Sequence, residues 1–346
     1  MIKKFKKAIK IILNIIRHLI LNSPFIKELS KKPLVIKDFS GYNQPYHPSV
    51  LYFKDKFNNY KYWMVQTPYP IGGLPYRDRW ECPCIYWSND GIKWYTNSKV
   101  NPIDDITPEE IKNGDFLSDP HLVYKEDTKT LECWYRMTHM NTNNTDKKLQ
   151  YPTIILKKTS STGLDWSDRE IMIDLQNPNN SIGDMVRSPS IIWDNNKQIY
   201  RMWFVDTLPT VCNRNIIYAE SKSGKIWFNK TLTNMSPYID PWHIDVNYFD
   251  NKYHLINYTN NTGHNGINYY ESLDGIHFKF VKELLHPSKM SINEFYSCKL
   301  YRSCVLKADD EIRIYFTAEN GSKSSLGLLR GHSFLNLKVS DGTPSS

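Results

Sequence analysis

The chain has 346 residues, 40% of them hydrophobic and 23% charged, which excludes a disordered chain and allows one large all-β domain or two smaller ones. Its net charge is +8, but five lysines within Met1–Lys10 carry most of that excess; the rest is too slight and too scattered for a nucleic-acid surface. Aromatic content is 14%, with 23 Tyr and 10 Trp, a bias that suits strands and also sugar-binding faces.

The first predicted element is a helix. Lys3, Lys7, Lys10, Asn14 and Arg17 recur at spacings of three and four and make one polar stripe, with Ile9, Ile12, Ile16 and Leu19 among the apolar residues around it. Pro24 ends the run. The uncharged stretch Ile11 to Ile16 is far short of the roughly 20 residues a membrane span needs. Asn14, Arg17 and His18 spoil a signal-peptide core, and no small-residue cleavage site follows. The expectation is a basic amphipathic helix over residues 1–22 that lies on an anionic membrane surface. The chain is then cytoplasmic and peripheral at the inner membrane face; export through an atypical signal is the alternative.

From residue 37 the pattern changes to short strands punctuated by a repeated turn. Ser88-Asn89-Asp90-Gly91-Ile92-Lys93-Trp94 is its clearest copy. Ser160 to Trp166, Ser221 to Trp227 and Ser272 to Phe278 keep the frame, and Leu328 to Phe334 is a degraded fifth copy that retains Gly331 and Phe334. A repeat of roughly 50 to 70 residues closed by turn chemistry predicts an array of small sheets. Strands are expected at 47–52, 60–65 and 85–87 before the first turn, then 119–124, 131–137 and 153–157. The third set is 188–193, 199–205 and 216–220, the fourth 245–248, 253–258 and 267–271, and the last 302–306, 312–318 and 325–329. The fold class is therefore all-β, a five-bladed β-propeller preceded by an N-terminal amphipathic α-helix. Residues 1–36 form the helix and linker, 37–338 the propeller and 339–346 a polar tail. The motif glycine serves the turn and its aromatic packs between blades, so neither is a candidate for catalysis.

The innermost strands of a propeller line its central channel, so their first residues converge at one mouth. Those positions are His47, Asp119, Ser188, Asp245 and Arg302, with Tyr46, Ser118, Arg187, His243 and Tyr301 beside them. Six cysteines are scattered, and Cys82-Pro83-Cys84 has no second pair with nearby histidines, so no metal site is expected. There is no G-x-S-x-G and no glycine-rich phosphate loop, and no cofactor is called for.

The blade starts Ser118-Asp119-Pro120 and Arg187-Ser188-Pro189, with S-x-D-G-x-x-[W/F] closing the blades, resemble five-bladed propeller glycoside hydrolases of families 43, 32, 68 and 130 and their relatives. The resemblance covers about residues 40 to 335. It implies three acids in the funnel: a base or nucleophile, a proton donor and one that tunes them. Asp119 matches the blade-two acid, whereas His47 and Ser188 stand where the blade-one and blade-three acids would be. Glu81, Asp245 and Glu294 are the available replacements. Glycosidic cleavage needs two carboxyl groups, ~5–5.5 Å apart for retention or ~6.5–9.5 Å for inversion.

The expected catalytic set is thus Asp119, Asp245 and Glu81. His47, Arg187, His243, Arg302 and Tyr296 hold substrate, the cations among them suiting a phosphate or acidic sugar. The chain reads as a monomeric enzyme that cleaves or transfers glycosyl units on a carbohydrate or lipid-linked glycan, in cell-surface polysaccharide metabolism. A non-catalytic glycan-binding propeller and phosphate-dependent transfer are the alternatives, and a protein-binding scaffold fits the uneven repeat spacing less well.

Overall fold

Alternating strands of β-branched and aromatic residues, each ended by a polar or glycine turn, fold into antiparallel meanders. A computed structural model describes residues 31–38, 41–69, 81–138, 153–175, 177, 182, 185–206, 214–235, 240–259, 266–287, 294–321 and 323–342. Five sheets follow one another along the chain. Blade one holds β1 (Pro45–Phe57), β2 (Tyr60–Pro68) and β3 (Cys84–Ser88). Blade two holds β4 (Phe116–Lys125), β5 (Thr130–Thr138), β6 (Thr153–Ser160) and β7 (Glu170–Asp174), after a short helix α1 (Pro108–Asn113). Blade three holds β8 (Arg187–Asp194), β9 (Ile199–Asp206), β10 (Asn215–Ser221) and β11 (Phe228–Leu232). Blade four holds β12 (Pro241–Phe249), β13 (Lys252–Thr259), β14 (Ile267–Ser272) and β15 (Lys279–Leu285). Blade five holds β16 (Lys299–Ala308), β17 (Glu311–Asn320), β18 (Lys323–Gly331) and β19 (Lys338–Val339).

Every expected strand is present within a few residues, and the fold is the predicted propeller. The predicted basic helix lies outside the described residues. No helix among those described is long and apolar enough to cross a membrane. The propeller body takes in residues expected to be linker and tail. Leu34 pairs with Leu326 at the outer edge of blade five, and the Gly342 N–H donates to the Lys32 carbonyl (2.8 Å).

The repeated turn works as a clasp between blades. In the third copy the Ser221 hydroxyl accepts the Gly224 N–H (2.8 Å), and the Trp227 indole donates to the Gly224 carbonyl (2.9 Å). Gly224 has φ +78°, and a Cβ there would run into Trp134 of the preceding blade. Gly91, Gly163 and Gly275 hold the same place in their turns, also at positive φ. In the fifth copy, Gly331 is still part of β18, and its φ is not left-handed. The motif is structural, as expected.

The innermost strands β1, β4, β8, β12 and β16 touch in ring order around the channel. Each carries an irregularity in pairing near its start, at Tyr46/Ser49, Ser118/His121, Arg187/Ser190, Pro241/His243 and Leu300/Ser303. His47, Asp119 and Ser188 sit at these kinks with φ near +50°, each followed by proline. A bulge re-aims the side chain it carries. Here it turns the residues at the kinks toward the axis at one mouth.

Candidate active site

Hydrogen bonds between adjacent inner strands fix which residues share a layer. The Leu122 N–H donates to Ser49 Oγ (3.1 Å), Val246 to Ser190 Oγ (2.8 Å) and Val305 to Asp245 Oδ2 (2.9 Å). Ser49, Ser190 and Asp245 are therefore equivalent, and with His121 and Cys304 they form a lower layer. Counting back two residues gives the upper layer: His47, Asp119, Ser188, His243 and Arg302. In blade four the top position is thus His243. Asp245 lies one pleat, about 7 Å, further down the channel. It lines a separate cavity of about 200 Å³ with Ser49, His121 and Cys304. This corrects the expected pairing of Asp119 with Asp245: a slip of two keeps a residue on the same face, so the alternation pattern cannot detect it. Burial raises Asp245 to about 6, and its oxygens serve Val305 and Ser190.

The upper mouth opens into a cavity of about 430 Å³ lined by Tyr46, His47, Glu81, Arg136, Arg187, Trp242, His243 and Tyr301, among others. Asp119 lies behind the lining residues His47 and His243 with no solvent exposure. Burial alone would raise its pKa. The Arg136 and Arg302 charges overrule that and hold it well below the usual carboxylate range. Arg136 Nε is 3.0 Å from Oδ2 and Arg302 Nη1 is 3.3 Å from Oδ1, and the Ser188 N–H also donates to Oδ2 (3.3 Å). Arg302 is 1% exposed and gives its other amine to the Pro189 carbonyl (3.1 Å). It braces Asp119 from inside the channel instead of facing the cavity, a correction to its expected role in holding substrate.

Two imidazoles flank Asp119. His47 Nε2 is 3.7 Å and His243 Nδ1 is 3.5 Å from Asp119 Oδ1. Both rings are buried, and burial keeps both neutral: His47 falls to about 3, and His243 lies well below its ordinary value. His243 is therefore no cation for a phosphate, which corrects a second expectation. Among the described residues neither ring nitrogen of His243 has a hydrogen-bond partner although both are buried. The other nitrogen of His47, Nδ1, is 2.9 Å from Thr67 Oγ1. A buried ring nitrogen without a partner is costly.

One ligand atom from each of His47, Asp119 and His243 lies within 4.8 Å of the others. In a tetrahedral zinc site with bonds of ~2.0–2.2 Å, ligand atoms stand about 3.3–3.6 Å apart, close to the two distances above. Neutral imidazole and ionised carboxylate are the states a metal requires. The Thr67 contact resembles the outer bond that orients a ligating histidine. The trio could hold a divalent ion. No spacing signature announced it, because each ligand comes from a different blade.

Glu81 approaches from the side, its Oε1 3.5 Å from His47 Nδ1. Burial, with the Asp119 charge adding to it, lifts Glu81 to about 8. It is a carboxyl group that keeps a proton near neutral pH. Tyr301 packs its ring on His243 (centroids 4.4 Å apart) and accepts the Trp242 indole N–H (3.1 Å).

Of the expected residues, His47, Glu81, Asp119, Arg187 and His243 meet at this mouth. Tyr296 does not: it packs on Phe295 and Phe316 away from the cavity. Glu294 also lies outside, accepting the Lys31 N–H (3.1 Å). Arg136, Thr67 and the Lys299–Glu319 ion pair (3.0 Å) were missed. Arg136 had one signal, a lone cation in the otherwise apolar end of β5.

No family model matches the chain, and no curated protein matches it in sequence. Several solved structures share its fold. An N-acetylgalactosamine deacetylase from F. plautii, in complex with blood group B trisaccharide, aligns with TM-score 0.70 at 18% identity, over 87% of this chain and 95% of that one. A xylan β-1,4-xylosidase from Bacillus halodurans C-125 aligns with TM-score 0.60 at 14% identity, over 91% of this chain and 57% of that one. A thermostable family-43 glycoside hydrolase aligns with TM-score 0.58 at 13% identity, over 88% and 95% of the two chains. At these identities the likeness establishes the shared five-bladed fold.

Proposed function

We propose that this chain is a glycan-processing hydrolase whose site holds a divalent metal ion on His47, Asp119 and His243, and that it removes an acyl group from an N-acylated sugar. The observation that carries this reading is His243, a neutral buried imidazole with both nitrogens unpartnered among the described residues, beside a second imidazole and an ionised carboxylate. An ion bound there supplies a Lewis acid for a carbonyl oxygen and a water of lowered pKa.

The chain's own residues suit the remaining tasks. Glu81, protonated near neutral pH and next to His47, is the one carboxyl at the mouth placed to move a proton to or from the reacting group. Tyr301 and Trp242 give the sugar an aromatic wall. Arg136 and Arg302 keep Asp119 ionised, so it is a poor proton donor and a good ligand.

The two-carboxylate scheme of glycosidic cleavage finds less support. Asp119 is committed to two guanidinium groups and Asp245 lies one layer down. Glu319 is tied to Lys299 and accepts the Tyr46 hydroxyl (2.8 Å). That leaves Glu81 without a free partner. Among proteins of this fold, one is a sugar deacetylase by name, which agrees with the acyl reading.

The test compares acetate release with reducing-end release from N-acetylated and plain oligosaccharides, before and after chelation. Acetate release that zinc or manganese restores is the expected result. Reducing ends without acetate, insensitive to chelator and lost in Glu81→Gln, would overturn it in favour of a glycosidase.

A further inference from the structure

Arg187 is the cavity's one cation, among the described residues, that has no anion of its own. It opens β8 and lines the upper cavity, with its guanidinium 4.9 Å from the centre of the Trp242 ring. Arg214 lies 4.5 Å from the same ring but pairs with Asp240 (2.6 Å). Lys299 pairs with Glu319, and Arg136 with Asp119. Arg187 makes no ion pair among the described residues, and its buried Nε has no hydrogen-bond partner. Burial and the neighbouring Arg136 and Arg214 charges lower it to about 10, with Asp119 partly offsetting them. Asp119, the carboxylate whose charge acts on it, is already shared by Arg136 and Arg302.

The guanidinium sits over the indole ring of Trp242, and a fork of parallel N–H donors matches the two oxygens of a carboxylate or phosphate. A neutral sugar leaves that charge uncompensated. We propose that Arg187 is a specificity residue that binds an anionic group on the substrate, so that the natural substrate is an acidic sugar: a sugar phosphate or a uronic acid. This rests on the reading of the cavity as a glycan site, but not on the metal or the acyl chemistry.

The test is calorimetric titration of the full chain after chelation, so that no bound ion recruits the anion. The probes are N-acetylglucosamine, its 1-phosphate and 6-phosphate, glucuronic acid and inorganic phosphate. Wild type should bind at least one charged sugar about tenfold more tightly than N-acetylglucosamine. Arg187→Gln should abolish that preference, so that charged and neutral sugars bind within about twofold of each other, while Arg187→Lys should keep part of it. The phosphate and uronate arms decide which anion is preferred.

A lower melting temperature in Arg187→Gln with the preference intact would show that Arg187 only supports Trp242, and would overturn the proposal. So would equal affinity of wild type for charged and neutral sugars. Inorganic phosphate that binds wild type but not Arg187→Gln, with no sugar binding at all, would sustain the anion site and sink the glycan reading alone.

Discussion

Asp119→Asn removes one negative charge from the point where the channel concentrates most of its polar contacts. The side chain is fully buried and faces Arg136 at 3.0 Å and Arg302 at 3.3 Å. Asparagine keeps the shape and can still accept the Ser188 N–H. It leaves Arg302, which is 1% exposed and in no other ion pair among the described residues, with only the more distant Asp245 carboxylate to offset its buried charge. Breaking a buried pair in this way costs about 3–5 kcal/mol. Arg136 is partly exposed and keeps Ser118 (2.9 Å), so it adds little. Against a total stability of roughly 5–15 kcal/mol the variant should fold, but with a urea midpoint lowered by about 1 M or more. The assay is urea unfolding of chelated protein, so that lost metal binding does not add to the change. Arg302→Met in the Asp119→Asn background should recover about half of the loss, a coupling that a double-mutant cycle measures. A midpoint shift below about 0.3 M, or no recovery in the double variant, would refute the argument that Asp119 is what Arg302 needs.

Further outcomes follow from the same geometry. Zinc at about one hundred times its dissociation constant should stabilise wild type by about 2.7 kcal/mol, and His47→Ala and His243→Ala should lose that gain in a thermal-shift titration. Asp245→Asn should leave turnover and zinc stabilisation as in wild type, because its carboxyl faces the lower cavity; a loss of turnover comparable to that of His243→Ala would contradict the layer assignment. Gly224→Ala meets both a left-handed φ and the Trp134 ring, and should cost more than about 1 kcal/mol in a urea titration. His254 contacts the Tyr269 hydroxyl (2.8 Å) and the Phe249 carbonyl (3.1 Å) with Asp250, Glu271 and Lys252 nearby, and burial lowers its pKa. The unfolded chain therefore takes up the proton first, and stability falls as pH drops below about 6.5. Unfolding midpoints at pH 7 and pH 5 should differ less in His254→Gln than in wild type, and an unchanged difference would count against this.

The sequence alone determined the architecture. Four copies of a serine–glycine–aromatic turn and a degraded fifth, with alternating strands between them, set the blade count and placed every inner strand, because those signals are local and repeat. It also singled out His47, Asp119, Arg187 and His243, since polar residues at strand starts stand out against apolar runs, while Glu81 came from seeking replacements for the acids the glycosidase resemblance implies. The tertiary structure alone decided which of them meet. Period-two alternation identifies the face a residue points from, but not its height along the channel, so Asp245 and His243 were interchangeable until hydrogen bonds between neighbouring blades set the layers. The charge states were equally out of reach. His243 reads as a cation in the sequence and is a neutral imidazole in the fold, because its desolvation comes from residues brought in by other blades.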